Sequence, residues 1–215
     1  MANVNVLTKL SLATGGAAVL ALSVSGTAQA ASGFSGSYAP SNWTLTNITT
    51  QGNAGAIQGS VDTTNTPLSI SITGSDSGAF DFASGQTAYT TIAAASGDVS
   101  FDWSYSTNDF IGANSDPFGF ILNGVFTQLT SGNASTQSVV GSTFSVNAGE
   151  RFGFAVQTFT NTFGAATATI TNFQAPETPV PTPVPEPASL IGLLGLGAFG
   201  VTSVRKRKQQ ATVKA

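Results

Sequence analysis

An all-β domain, an antiparallel β-sandwich or jelly roll, is predicted for residues 31–175 by three observations. Apolar side chains recur at every second position in run after run, no segment carries a helical 3.6-residue period, and Gly, Asn, Asp and Ser cluster between the runs. Alternation of this kind gives each strand one apolar face, and two such sheets bury those faces against each other. An up-and-down barrel is the alternative. The lack of a repeat at fixed period disfavours a propeller or solenoid.

In chain order, the first strand is expected near 43–47. Leu68, Ile70 and Ile72 alternate with serines, and 89–93 follows after Gly74-Ser75-Asp76. Beyond the turn Ser96-Gly97-Asp98, Val99, Phe101, Trp103 and Tyr105 alternate with Ser100, Asp102 and Ser104. The runs 118–122 and 125–129 flank Asn123-Gly124, two residues that tolerate positive φ and so mark a tight hairpin. Strands near 142–146, at Phe152, Phe154 and Val156, and at Ala166, Ala168 and Ile170 complete the set, with Asn147-Ala148-Gly149 as a further turn.

The two ends have a different texture. Lys9 precedes an apolar stretch at 10–24, followed by Thr27-Ala28-Gln29-Ala30 and Ala31. This is the layout of a secretory leader over 1–30, with Ala28, Ala30 and Ala31 around the cut made by signal peptidase, whose pockets admit only short side chains. Residues 176–187 hold Pro176, Pro179, Pro181, Pro183, Pro185 and Pro187, a density that excludes helix and favours an extended spacer. Residues 188–204 are apolar; as a helix they would reach roughly 26 Å, barely a hydrocarbon core. Arg205, Lys206, Arg207 and Lys208 then stop transfer, and residues 205–215 form a basic cytoplasmic tail. The expected chain is thus exported, with a cleaved N-terminal signal helix and a single C-terminal transmembrane helix.

Val184-Pro185-Glu186-Pro187-Ala188-Ser189-Leu190, a Gly/Leu-rich apolar stretch and a terminal basic patch together resemble the PEP-CTERM sorting tail of Gram-negative bacteria. The resemblance implies recognition by an exosortase, an integral-membrane cysteine transpeptidase, with Pro185, Glu186 and Pro187 as substrate residues rather than catalytic ones. It also implies an inner-membrane precursor that moves on to the cell surface or extracellular matrix, in association with exopolysaccharide or biofilm. The stretches 39–44, 101–106, 116–119 and 122–126 look like a module common ahead of such tails, one with no settled activity to carry over.

Composition narrows the chemistry of the centre. The chain has no Cys and no His, which removes disulfides, thiol nucleophiles, imidazole bases and the usual zinc ligands. Arg151 is the lone basic residue of 31–175, against Asp62, Asp76, Asp81, Asp98, Asp102, Asp109, Asp116 and Glu150, so nucleic acid is excluded as a partner. Paired carboxylates could serve glycoside hydrolysis, as Asp98 with Asp102 or Asp109 with Asp116. However, Asp98 reads as a turn residue, Asp102 points to solvent by alternation, and Glu150 has Arg151 as its natural ion partner. A non-enzymatic protein without an obligatory cofactor is expected.

Asp109, Asn114 and Asp116, with Gly112 between them, supply oxygens of the kind calcium takes, although the spacing is not that of an EF-hand. A solvated Asx-rich loop is the plainer reading; Asp76, Ser77 and Asp81 form a weaker second set. Trp103 and Tyr105 share a face with Phe101 and read as core. Tyr38 and Trp43, beside Pro40, are freer and could stack on a sugar ring. The functional expectation is a non-enzymatic envelope or matrix protein; the alternative is a small calcium-assisted, lectin-like carbohydrate-binding module.

Overall fold

The computed structural model of the chain describes residues 29–53, 55–78 and 82–178. The expected sorting motif, membrane helix, basic tail and nearly all of the leader lie outside those residues.

Among the described residues, eleven strands form two antiparallel sheets packed face to face. The first sheet contains β1 (Gln29–Ser32), β3 (Ser60–Asp62), β4 (Ser69–Thr73), β6 (Gly97–Thr107), β9 (Thr136–Val146) and β11 (Ala166–Glu177). Its order is β3-β4-β11-β6-β9, with β1 pairing the end of β11. The second contains β2 (Thr44–Gln51), β5 (Ser84–Ile92), β7 (Phe118–Leu122), β8 (Val125–Gln128) and β10 (Arg151–Thr158), in the order β2-β5-β10-β7-β8. Among consecutive strands only β3–β4 and β7–β8 pair, and most of the other connections pass from one sheet to the other. This is the predicted sandwich with jelly-roll wiring.

Alternation explains the inward faces. In β6, Val99, Phe101, Trp103 and Tyr105 are buried while Ser104 and Ser106 are exposed. Trp103 stands opposite Ile170, and Tyr105 opposite Ala168, so the apolar faces of β6 and β11 fall on one side. From the other sheet come Tyr89, Phe118, Phe120, Phe152, Phe154 and Val156, all buried. Phe154 is central, with its ring 4.8 Å from Phe101, 5.9 Å from Trp43, 6.0 Å from Phe120 and 6.2 Å from Phe173. Truncating it leaves a large void among rings that cannot collapse together. Phe154→Ala is expected to lower unfolding stability by about 3–5 kcal/mol, read from denaturant titration.

The hairpin at Asn123-Gly124 forms as predicted, with φ of 51° and 84°. The outer faces differ from each other. On the first sheet hydroxyls lie in register, with Ser71 bonded to Thr169 at 2.8 Å and Thr73 to Thr167 at 3.0 Å. On the second, Ala88, Ile121 and Ala155 form a small buried cluster under Phe126. Gly119 makes that cover possible, since a Cβ there would sit 2.5 Å from the Phe126 ring.

Three expectations need correction. Leu68 does not take part in the alternation; it precedes β4 and is 78% exposed. The module does not stop at Ala175, because β11 continues to Glu177. There the Pro176 carbonyl accepts from the Tyr38 hydroxyl at 2.6 Å and Glu177 accepts from the Ser37 N–H at 2.7 Å, which anchors the extra residues. Glu150 is held by Asn147 N–H at 2.7 Å and Asn123 Nδ2 at 3.0 Å rather than by Arg151, whose guanidinium reaches Thr90. Those bonds, that of Asn147 first, hold the Glu150 carboxyl below its usual range.

Candidate functional site

β6 and β11 run antiparallel, with Thr107 opposite Ala166 at one end and Ser100 opposite Gln174 towards the other. The pairing of β1 with the last residues of β11 lies at the second end. The loops after β6, β10 and β4 lie at the first. The sandwich therefore has a pole where residue 178 leaves it and a distal pole, separated by roughly 30 Å along β6.

The distal pole is built by the turn that follows Thr107. Its hydroxyl accepts from the Asp109 N–H at 3.0 Å, and Asp109 Oδ1 accepts from the Ile111 N–H at 2.7 Å, an Asx turn that reverses the chain. Gly112 follows with φ of +71°, and a Cβ there would run into the Asn133 carbonyl. A 3-10 turn over Gly112–Asn114 leads to Ser115, whose hydroxyl meets that of Thr160 at 3.0 Å. Asp116 comes next, its carbonyl accepting from the Tyr105 hydroxyl at 3.0 Å.

This folding draws both carboxylates inside: Asp109 is 2% exposed and Asp116 1%. Among the described residues, both oxygens of Asp116, Oδ2 of Asp109 and the fully buried Thr158 hydroxyl have no partner in hydrogen-bond geometry. Burial pushes the Asp116 carboxyl up to about 8; the charge of Asp109 adds to this, the Thr158 hydroxyl, beside the carboxyl though not in hydrogen-bond geometry, opposes it, and Asp76 adds a smaller push. The Tyr105 phenol is raised as well, by burial first and by Asp116 second. Chemically, such a group of oxygens can take up a proton or a hard cation.

The expected calcium loop is thus only partly assembled. Asp109 and Asp116 come together and are buried, which overturns the solvated-loop reading. Asn114 does not share their burial; it lies exposed at the end of the 3-10 turn. Asp81 lies outside the described residues. Among the described residues no three His, Cys, Asp or Glu side chains gather. Thr158 escaped notice because nothing in its own segment marks it; only the pairing of β10 with β7 carries it to the loop.

Tyr38 and Trp43 are not free aromatic platforms. Pro40 opens a short 3-10 turn that folds both rings inward, to 0% and 7% exposure. The Trp43 indole donates to the Tyr38 carbonyl at 2.9 Å and stacks on Tyr89 at 5.0 Å. The exposed rings lie instead at the distal pole, where Phe110 meets Phe163 edge-on at 5.1 Å. Near the tail-side pole a shallow hollow of about 160 Å³ is lined by Gly33, Leu68, Asn172 and Phe173, among others. Ala30 and Ala31 both lie in β1, the first exposed and the second buried. A chain cut between them retains the Ala31–Ala175 and Ser32–Gln174 pairs.

Residues 183–208 match the family described as the PEP-CTERM protein-sorting motif. No curated protein matches the chain. Among solved structures, a GH26-CBM35 β-(1,4)-mannanase from Podospora anserina is 17% identical with a TM-score of 0.31. That match covers 65% of this chain and 29% of the mannanase, so the chain spans under a third of it. A family 35 carbohydrate binding module from Clostridium thermocellum is 14% identical with a TM-score of 0.32, over 58% of this chain and 97% of that one. The CBM35 from Cellvibrio japonicus Abf62 is 12% identical with a TM-score of 0.29, over 63% and 98%.

Proposed function

From an exported chain that carries a PEP-CTERM sorting tail, we propose a non-enzymatic protein of the cell surface or extracellular matrix, associated with exopolysaccharide. The single observation that carries this reading is the sorting motif at residues 183–208. In it, 188–204 holds the precursor in the inner membrane, Arg205 to Lys208 stay cytoplasmic, and an exosortase-type transpeptidase cuts near Pro185, Glu186 and Pro187.

The sandwich suits a role without chemistry. The chain lacks Cys and His, and Asp109 and Asp116 lie closed off from solvent, out of reach of a glycosidic oxygen. A module tethered through residue 178 presents its distal pole, with Phe110 and Phe163, away from the membrane.

Fractionation of producing cells, probed with an antibody to the sandwich, tests the reading. A longer form in the inner membrane and a shorter form in the matrix fraction are expected, and the shorter form should sediment with the organism's own exopolysaccharide. Recovery of only the full-length chain, all of it in the inner membrane, would overturn the sorting step. Saturable binding to one defined sugar, without binding to the bulk polymer, would favour the lectin-like alternative.

A further inference from the structure

We propose that Asp109 and Asp116 hold a buried divalent cation of the calcium class at the distal pole of the sandwich, with the Thr158 hydroxyl as a neutral third ligand side chain. This goes beyond sorting and surface attachment and stands independently of them.

The argument begins with charge. Two carboxylates, each at most 2% exposed, cannot both be ionised without a compensating positive charge. The described residues offer none nearby. Arg151 is the only basic residue between 29 and 178, and it begins the strand that Thr158 ends, roughly 23 Å away. Hydrogen bonds do not compensate either, since among the described residues three of the four carboxylate oxygens and the Thr158 hydroxyl have no partner in hydrogen-bond geometry. Four buried oxygens without a hydrogen bond, from the loop after β6 and the end of β10, make a donor set suited to a hard cation.

The donor set selects the ion. Every ligand atom is oxygen, which suits a hard cation rather than zinc or copper. Calcium takes six to eight oxygens in flexible geometry, so carbonyls of the 108–117 loop and water can complete its shell. Magnesium, which keeps several waters in a strict octahedron, fits an enclosed site less well. The bound ion would tie the loop bearing Phe110 to the end of β10.

The test uses the full chain in detergent micelles, with calcium, with a chelator, and with terbium as a luminescent stand-in excited through Tyr105. Calcium is expected to raise the thermal midpoint by about 5–10 °C over the chelator, and terbium emission to rise saturably and be displaced by calcium. Asp116→Asn should lose both responses, while Asp62→Asn, at an exposed position, should keep them. Equal midpoints in calcium and chelator would overturn the proposal in favour of a shared proton. So would terbium emission that survives Asp116→Asn, which marks surface adsorption. If Asp116→Asn does not fold, the wild-type comparison of calcium with chelator still decides.

Discussion

Replacing Pro185, Glu186 and Pro187 together with alanine is expected to leave the chain as an uncleaved precursor in the inner membrane. Pro185 and Pro187 each fix φ and remove an N–H donor, a pair of constraints that favours an extended peptide around Glu186 over a helical one. Glu186 is also the only acidic residue of the spacer after Glu177, set close to the apolar stretch. A membrane-embedded transpeptidase meeting this segment finds an extended backbone with one charged side chain, which is readable at little entropic cost. Three alanines remove the charge and both constraints at once. The shorter form should fall at least about tenfold in a pulse-chase gel, which corresponds to about 1.4 kcal/mol or more of lost recognition. Normal processing of the variant would show that other parts of 183–208 carry the signal.

In a chelating buffer the folded chain is expected to lose stability steadily as pH rises from 5 to 8. Among the described residues, the groups facing Asp116 are Asp109, Asp76, Tyr105 and the Thr158 hydroxyl, none of them cationic. Burial holds the folded carboxyl near 8, whereas an unfolded aspartate titrates near 4. A raised folded value means that the proton favours the native state. Its contribution is full below about pH 4 and shrinks through the window, because the unfolded chain gives up its proton and the folded chain does not. It is lost by the time pH passes about 8.

From this group alone the difference between pH 5 and pH 8 is about 4 kcal/mol, a substantial share of the 5–15 kcal/mol typical of a domain. The thermal midpoint should drop by about 10 °C. Asp62, Asp102 and Glu150 act in the opposite sense, since hydrogen bonds hold their folded carboxyls low. Their contribution is present above the unfolded value and lost only in more acid solution, so it leaves the 5–8 window clear. Asp116→Asn should flatten the slope. A flat wild-type profile in chelator would mean that Asp116 is ionised in the fold and finds compensation elsewhere.

Local chemistry determined much of this protein. Period-two runs marked four of the strands, because a half-buried strand alternates whatever its partner, and short apolar stretches between turn signals marked five more. Asn123-Gly124 specified its own hairpin, since positive φ is a property of those two residues. The tail was legible for a similar reason: proline density, apolar length and a basic cluster act on the membrane and its enzymes without a tertiary partner. The short strands β1 and β3 were missed because three or four residues carry too little period to read, and they exist through pairing with β11 and β4.

Everything that depends on distant partners was decided by the tertiary structure. The turns at 96–98 and 147–149 were evident as turns, but each carries the chain across to the opposite sheet, a choice set by which apolar faces meet. Tyr38 and Trp43 looked available beside Pro40 until the Pro176 carbonyl, Tyr89 and Phe154 closed around them. Asp109 and Asp116 lie in a stretch whose composition suits solvent. Their burial comes from Thr158, some 42 positions beyond Asp116, and from the packing of β6 against β11 and β10 against β7. Strand period and turn chemistry are properties of neighbours in the chain, whereas burial and the fate of a charge belong to neighbours in space.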